Sequence, residues 1–374
     1  MSTFTGTLGR GIFTTIGVIY LTRSVGIPAV QVGLGLSLAA VFGILAGPLA
    51  GRLSDVFGAR RITIVSAVCT GLSLAGYLIV DDFVSFLVCA SVVVSLECAQ
   101  NVGRATVIAT TIPDETRVHA RAYLRSVNNL ALAISAAAAG LALHLDTRAA
   151  YLGFICAAGV CHLLAGVLGR WIPKAPTVDD RREGNRWIVF RDRPYMLLTL
   201  LNTVLSVHYD VLAVVVPLWI VEFTDAPASI VALLVVINTA MVVLLQVRAS
   251  RGIDDVRQAG RAQRQAGVYF LFSCGLYAGS VLHVPWASVA LLALATVVHT
   301  VGELRQAAGA WGISFDLASP DAPGQYQGVY NMSLTAASII APGVLTALIL
   351  GLGLLGWLIT GVLLLCAGAA IGRA

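Results

Sequence analysis

Charge is what this chain has least of. Only 11% of its 374 residues are Asp, Glu, Lys or Arg, and 58% are hydrophobic, whereas soluble domains carry about one quarter charged and about half apolar residues. That balance excludes a water-soluble globule, and no stretch between the apolar runs is long enough to fold as a separate soluble domain. Lysine is almost missing: Lys174 is the single lysine among 24 basic residues, so arginine carries the net charge of +5. The seven cysteines all lie in apolar runs, with no CxxC and no histidine at metal-ligand spacing, so they read as packing residues and no metal site is expected. There is no HExxH, GxSxG or GxxxxGK[ST] and no paired Asp motif, which leaves no basis for an enzyme, an ATP-driven pump or a bound cofactor. No nucleic-acid partner is expected.

What the chain does have is apolar length. A helix needs about 20 residues to cross the hydrocarbon of a bilayer, and on that ruler twelve spans are expected, at 4–22, 29–50, 61–80, 83–110, 122–143, 149–169, 195–220, 228–247, 265–282, 286–308, 326–349 and 352–371. The first contains Arg10 and no cleavage site follows it, so it reads as a helix that the chain's start clips, with Arg10 either snorkelling or facing a cavity. The fold class is therefore an all-α multi-pass membrane protein. The longest connection divides six spans from six, giving expected domains of 1–170 and 195–374 joined by a linker at 171–194. Within that linker Pro173, Pro176 and Asp179 to Glu183 read as solvated, and Trp187 to Phe190, between Arg186 and Arg191, as interfacial.

Arginine placement sets the orientation. With the N-terminus in the cytoplasm, the even-numbered connections hold Arg52, Arg60 and Arg61, then Arg117 and Arg121, then the linker's basic residues, then Arg248, Arg251, Arg257, Arg261 and Arg264. The opposite side holds Arg23 and Arg148. Both termini are thus expected in the cytoplasm, with the inner membrane as the location.

The stretch Gly47-Pro-Leu-Ala-Gly-Arg-Leu-Ser-Asp-Val-Phe-Gly-Ala-Arg-Arg61 packs polar and glycine-rich sequence between two apolar runs. Gly47 and Gly51 share one helix face and allow a neighbouring backbone to approach closely. Arg52 and Asp55 can meet across a turn, Gly58 can take the angles of a sharp reversal, and Arg60 and Arg61 can reach anionic headgroups. This order closely resembles motif A of the major facilitator superfamily, the loop between helices 2 and 3; Ala59, where many members have a basic residue, is a mild departure. The resemblance implies two pseudo-symmetric six-helix bundles that rock to alternate access, with Asp55 near helix 11 stabilising the cytoplasmically closed state. It also implies an internal repeat, of which Gln246-Val-Arg-Ala-Ser-Arg-Gly-Ile-Asp-Asp-Val-Arg257 reads as a degenerate second copy of motif A.

Ionised groups inside membrane spans are costly, so those present are expected to face the bundle interior or water. Glu97, Asn101 and Arg104 fall at i, i+4 and i+7 on one face of span 4; Arg104 matches the span-4 arginine of the superfamily's motif B, without the Gln and Gly that follow it there. Span 5 opens with Arg121 and Arg125, and the Gly-x-x-x-Gly-Pro-x-x-Gly-Gly motif C of proton-coupled drug exporters is absent. Span 7 has Asn202, Ser206 and Asp210 in steps of four, and span 10 has His299, Glu303 and Gln306 at i, i+4 and i+7. His299, one turn away, is the expected neighbour of Glu303, with Arg305 on another face. With Arg10 and Arg125, these residues form the expected substrate and proton cavity, in which Glu303 either carries a proton or binds a cationic substrate. The His299 to Glu303 segment and Tyr326-Gln-Gly328 resemble bacterial multidrug-type members, which implies proton-coupled efflux of a small amphipathic molecule driven by the proton gradient. An importer of a small metabolite and a non-transporting receptor or assembly partner are the competing readings. The expected partners are a small-molecule substrate and the lipid bilayer; the sequence leaves the oligomeric state open and is compatible with a monomer.

Overall fold

The computed structural model describes residues 1–174, 187–282 and 284–373. The linker residues Pro176, Asp179 to Glu183 and Arg186 lie outside the described residues. Among the described residues there are twelve helical rods and no strand. They are α1 (Ser2–Ile19), α2 (Ala29–Phe57), α3 (Ala59–Leu74), α4 (Phe83–Thr111), α5 (Asp114–Leu145), α6 (Arg148–Leu168), α7 (Arg193–Phe223), α8 (Ile230–Ala249), α9 (Val256–Ala278), α10 (Pro285–Asp316), α11 (Pro323–Leu352) and α12 (Leu354–Ile371). Each corresponds to one expected span, and ten are long and apolar enough to cross a membrane. The other two, α1 and α9, are diluted by Arg10 among threonines and glycines and by Arg257, Arg261 and Arg264 respectively.

Several helices outrun the apolar windows that predict them. The fifth begins at Asp114 rather than 122, the ninth at Val256 rather than 265, and the tenth ends at Asp316 rather than 308. A helix continues as long as its backbone hydrogen bonds are made, and it can do so in polar sequence once the ends are satisfied. The starts show how. Asp82 accepts the Ser85 N–H at 2.7 Å while the Ser85 hydroxyl lies 3.2 Å from the Asp82 N–H, a reciprocal cap on α4. Asp192 caps α7 through Tyr195 at 3.1 Å, and Asp255 caps α9 through Gln258 at 2.7 Å.

The chain divides into two compact units that are not contiguous halves. One holds Met1–Ile112, Val127–Arg191 and Ala318–Met332; the other holds Pro113–Ser126, Asp192–Leu317 and Ser333–Ala374. The first is built on an apolar core that includes Ile16, Tyr20, Tyr77, Phe86 and Tyr151. The second has one core around Trp219, Tyr277 and Trp357 and another around Phe270, Leu205 and Leu364.

The internal repeat, faint in sequence, is plain in the packing. In the first unit α1 packs on α6, α2 on α4, α3 on α4 and α3 on α6. In the second, α7 packs on α12, α8 on α10, α9 on α10 and α9 on α12, each pair displaced by six helices. Small residues make the same kind of contact in both. A Cβ on Gly71 of α3 would come within 2.8 Å of the Gly159 carbonyl of α6, and one on Gly267 of α9 within 3.0 Å of the Leu364 carbonyl of α12. The loops echo each other as well: the reversal after α2 turns on Gly58 (φ 89°) and that after α8 on Gly252 (φ 73°).

Candidate functional site

Gly47, Gly51 and Asp55 of the motif A stretch collect around the start of α11, within the first unit. Asp55 is buried at the end of α2, where its carboxylate accepts the N–H of Gly324 at 2.6 Å and of Gln325 at 3.0 Å. These are first-turn amides of α11, groups with no intrahelical partner, at the positive end of the helix dipole. Gly47 and Gly51 make the approach possible. A Cβ on Gly47 would come within 2.9 Å of the Gly328 carbonyl, and one on Gly51 would overlap the Gly324 carbonyl. Arg52 places its guanidinium 5.7 Å from the Trp187 ring centre, and Arg60 donates to the Arg170 carbonyl. Arg61 is exposed.

Also in the first unit, Arg10, Glu97, Asn101 and Arg104 line one small cavity of about 40 Å³. Arg10 therefore faces a cavity rather than snorkelling. Arg104 donates to Asn101 Oδ1 at 2.7 Å, three residues back on the same helix. Four further polar side chains line it: Thr7, whose hydroxyl donates to Asn128 at 2.8 Å; Asn128 itself; Gln100; and His162, with its Nε2 4.0 Å from Glu97. His162 is buried, and among the described residues neither ring nitrogen has a hydrogen-bond partner. Such a space has room and polar lining for ordered water or a small polar group.

The second unit contains a larger polar network. Arg125 of α5 forms an ion pair with Glu303 of α10, and its other amino group donates to the Tyr209 hydroxyl at 2.9 Å. The Tyr209 and Trp311 rings sit 5.4 and 5.9 Å from the guanidinium carbon, close enough for cation–π attraction. Asn238 of α8 donates to Glu303 Oε2 at 2.7 Å, so both carboxylate oxygens are engaged. From Tyr209 the chain of hydrogen bonds runs to Gln306 (3.4 Å), on to Asn202 (3.1 Å) and to Ser333 of α11 (2.7 Å).

Two expectations change at this network. Glu303 takes Arg125, 178 positions away in sequence, as its charged partner. His299 instead packs its ring among Phe270, Tyr277 and His208, with Ser273 Oγ 3.4 Å from Nδ1. The face shared by Asn202, Ser206 and Asp210 also breaks: Asn202 and Ser206 are buried, and Asp210 is partly exposed. The α7 rod is interrupted at Val207 and widens to a π turn over Val211–Val215, just before Pro217. Proline offers no N–H and its ring crowds the carbonyl four residues back, so the regular spacing of four does not survive. Of the partners that the sequence reading passed over, Asn238 carried a signal, as an amide in the middle of the apolar run of α8. Tyr209 and Ser333 carried none.

This geometry has relatives. The model of the Major Facilitator Superfamily matches residues 1–342. An uncharacterized MFS-type transporter, YdeE of Escherichia coli (strain K12), is 23% identical over 344 residues, which cover 89% of this chain and 83% of that protein. The human organic anion transporter MFSD10 aligns with a TM-score of 0.74 at 14% identity over 99% of this chain and 98% of its own. The proton:xylose symporter XylE, bound to 6-bromo-6-deoxy-D-glucose, aligns with a TM-score of 0.76 at 13% identity over 98% and 93%. A bacterial homologue of the iron transporter ferroportin, in an outward-facing state, gives 0.76 at 12% identity over 100% and 96%. At these identities the structural matches show the fold.

Proposed function

From the premise that the chain belongs to the major facilitator superfamily of secondary transporters, we propose that it exports a small amphipathic molecule across the inner membrane in exchange for protons, by alternating access, with both termini in the cytoplasm. The observation that carries this reading is the largely buried Arg125–Glu303 pair, held by Asn238 and Tyr209. Taking two opposite charges out of water is tolerable only while they neutralise each other. Protonation of Glu303 breaks that balance. It leaves Arg125 charged between Tyr209 and Trp311, and so couples one proton to the polar lining that meets the substrate. The energy is sufficient: one charge crossing about 100 mV supplies about 2.3 kcal/mol, equivalent to a gradient of about fifty-fold. The Asp55 contact with the start of α11 acts in this reading as a lock that holds one end state of the cycle. Efflux rests on the multidrug-like segments around Glu303 and Tyr326. The direction is separated from import by comparing inverted with right-side-out vesicles.

The test is Glu303→Gln, assayed with a panel of small amphipathic dyes in inverted vesicles and reconstituted liposomes. The amide resembles the protonated acid in shape and charge. The variant should lose accumulation driven by a pH gradient while keeping exchange of dye down its own gradient. Normal proton-driven accumulation by Glu303→Gln would show that coupling lies elsewhere.

A further inference from the structure

One helix face remains outside the transport reading. On α9, Arg257, Arg261, Arg264, Val268, Phe272 and Gly275 recur at steps of three and four, so they form a single stripe along the helix. All six are exposed. The stripe changes character along its length, with three arginines at the start of the helix and apolar side chains beyond. Two grooves lie on it. The first, of about 470 Å³, is lined by Arg261, Arg264, Gln265, Val268, Tyr269 and Phe272. The second, of about 680 Å³, runs on from the same Tyr269 and Phe272, past Gly275, to Leu354, Trp357 and Leu358 of α12.

We propose that this double groove is a binding site for an anionic glycerophospholipid, with its phosphate on Arg261 and Arg264 and an acyl chain lying along Phe272 and Gly275. The arginines are free to take it. Neither makes an ion pair among the described residues, their own helix carries no acid, and the capping Asp255 already accepts the Gln258 N–H. The dimensions agree. Eleven residues from Arg264 to Gly275 span about 16 Å of helix at 1.5 Å per residue, the depth of one leaflet of a hydrocarbon core about 30 Å thick. Gly275 supplies the room, because a Cβ added there would meet nothing within 4 Å. The ridge of side chains that would keep a lipid tail off the helix is missing at that point. Basic grooves at helix ends, next to apolar helix surface, recognise anionic headgroups by charge and hold the tail by burial.

The experiment is native mass spectrometry of the detergent-purified transporter titrated with long-chain phosphatidylglycerol, long-chain phosphatidylcholine and dihexanoyl phosphatidylglycerol. The wild type should retain long-chain phosphatidylglycerol in preference to phosphatidylcholine. Each of Arg261→Gln and Arg264→Gln should cut that preference by about fivefold. Gly275→Leu should weaken long-chain phosphatidylglycerol and leave the dihexanoyl lipid unaffected, and Gly275→Ala should behave as wild type. If Gly275→Leu fails to fold, Leu358→Trp fills the groove from α12 and should act the same way. Inorganic phosphate should not displace the lipid; displacement would assign the arginines to a free anion and overturn the proposal. Equal retention of the two long-chain lipids by the wild type, or a preference that survives both arginine substitutions, would reduce the groove to ordinary lipid contact. Undiminished long-chain binding in a groove-filling variant would remove the acyl-chain assignment.

Discussion

At the scale of single residues, the acids Asp55, Asp146 and Glu303 are placed where backbone or an opposite charge receives them. Asp55 is the clearest instance, since a buried carboxylate accepting two N–H groups from a helix start has no water to fall back on. Hydrogen bonds to a charged group contribute about 1.5–3 kcal/mol. Asp55→Asn keeps the shape but turns one acceptor into a donor facing a donor, so the contact between α2 and α11 should weaken by about that amount. We expect transport to fall several-fold with membrane insertion intact, measured as initial rates at matched expression. Unchanged kinetics would show that the contact is only structural. The cavity of Arg10, Glu97 and Arg104 follows the same logic. Its charges were legible as costly residues in apolar spans, yet His162 and Gln100, which complete the lining, lie among residues that read as ordinary interior.

At the scale of elements, caps and turns decide where each helix stops. The α5 to α6 turn is pinned by Asp146, which accepts from the Tyr151 hydroxyl and pairs with Arg23 at 2.8 Å. The Tyr151 hydroxyl and then Arg23 hold this carboxyl below its ordinary range. Because the lowered value belongs to the folded state, the stabilisation is complete above the usual carboxylate value near about 3.9 and is lost as pH falls through the lowered one. Asp146→Asn should therefore lower the thermal midpoint slightly and evenly between about pH 5 and 8, as expected of an exposed pair. The difference from wild type should shrink as pH falls below the ordinary carboxylate range and vanish once the carboxyl is protonated in the folded state. A difference that persists in strong acid would mean that packing, not charge, ties the turn. The interruption of α7 belongs to the same scale. Pro217 is visible in the sequence, but whether a membrane helix answers proline with a kink, a π turn or a break depends on the neighbours that take up the freed carbonyls.

At the scale of the whole molecule, arginine distribution predicts the topology. Single cysteines placed near Asp82 and Asp146 should react with an impermeant maleimide added to intact cells, and one near Arg257 should react only after permeabilisation. The opposite pattern would invert the orientation and with it the direction assigned to transport. The repeat also belongs here. The four packing pairs of one unit recur in the other although the second copy of motif A keeps only its arginines, its glycine and its acids. Packing of this kind needs small residues at crossing points more than it needs any one sequence, so it outlives the motif.

The sequence by itself determined that this is a twelve-helix membrane protein, which residues in it are expensive, and that Gly47 to Arg61 resembles motif A of a known superfamily, with its reversal at Gly58. Those conclusions rest on apolar length, charge cost and local spacing, and each acts within a few turns of one helix. Only the tertiary structure decided the partners: Glu303 with Arg125 rather than His299, Asp55 with the amides of α11, and Asn202 with Ser333. These contacts join residues more than a hundred positions apart. A helical period records which face a residue occupies, and the packing of other helices determines what that face meets.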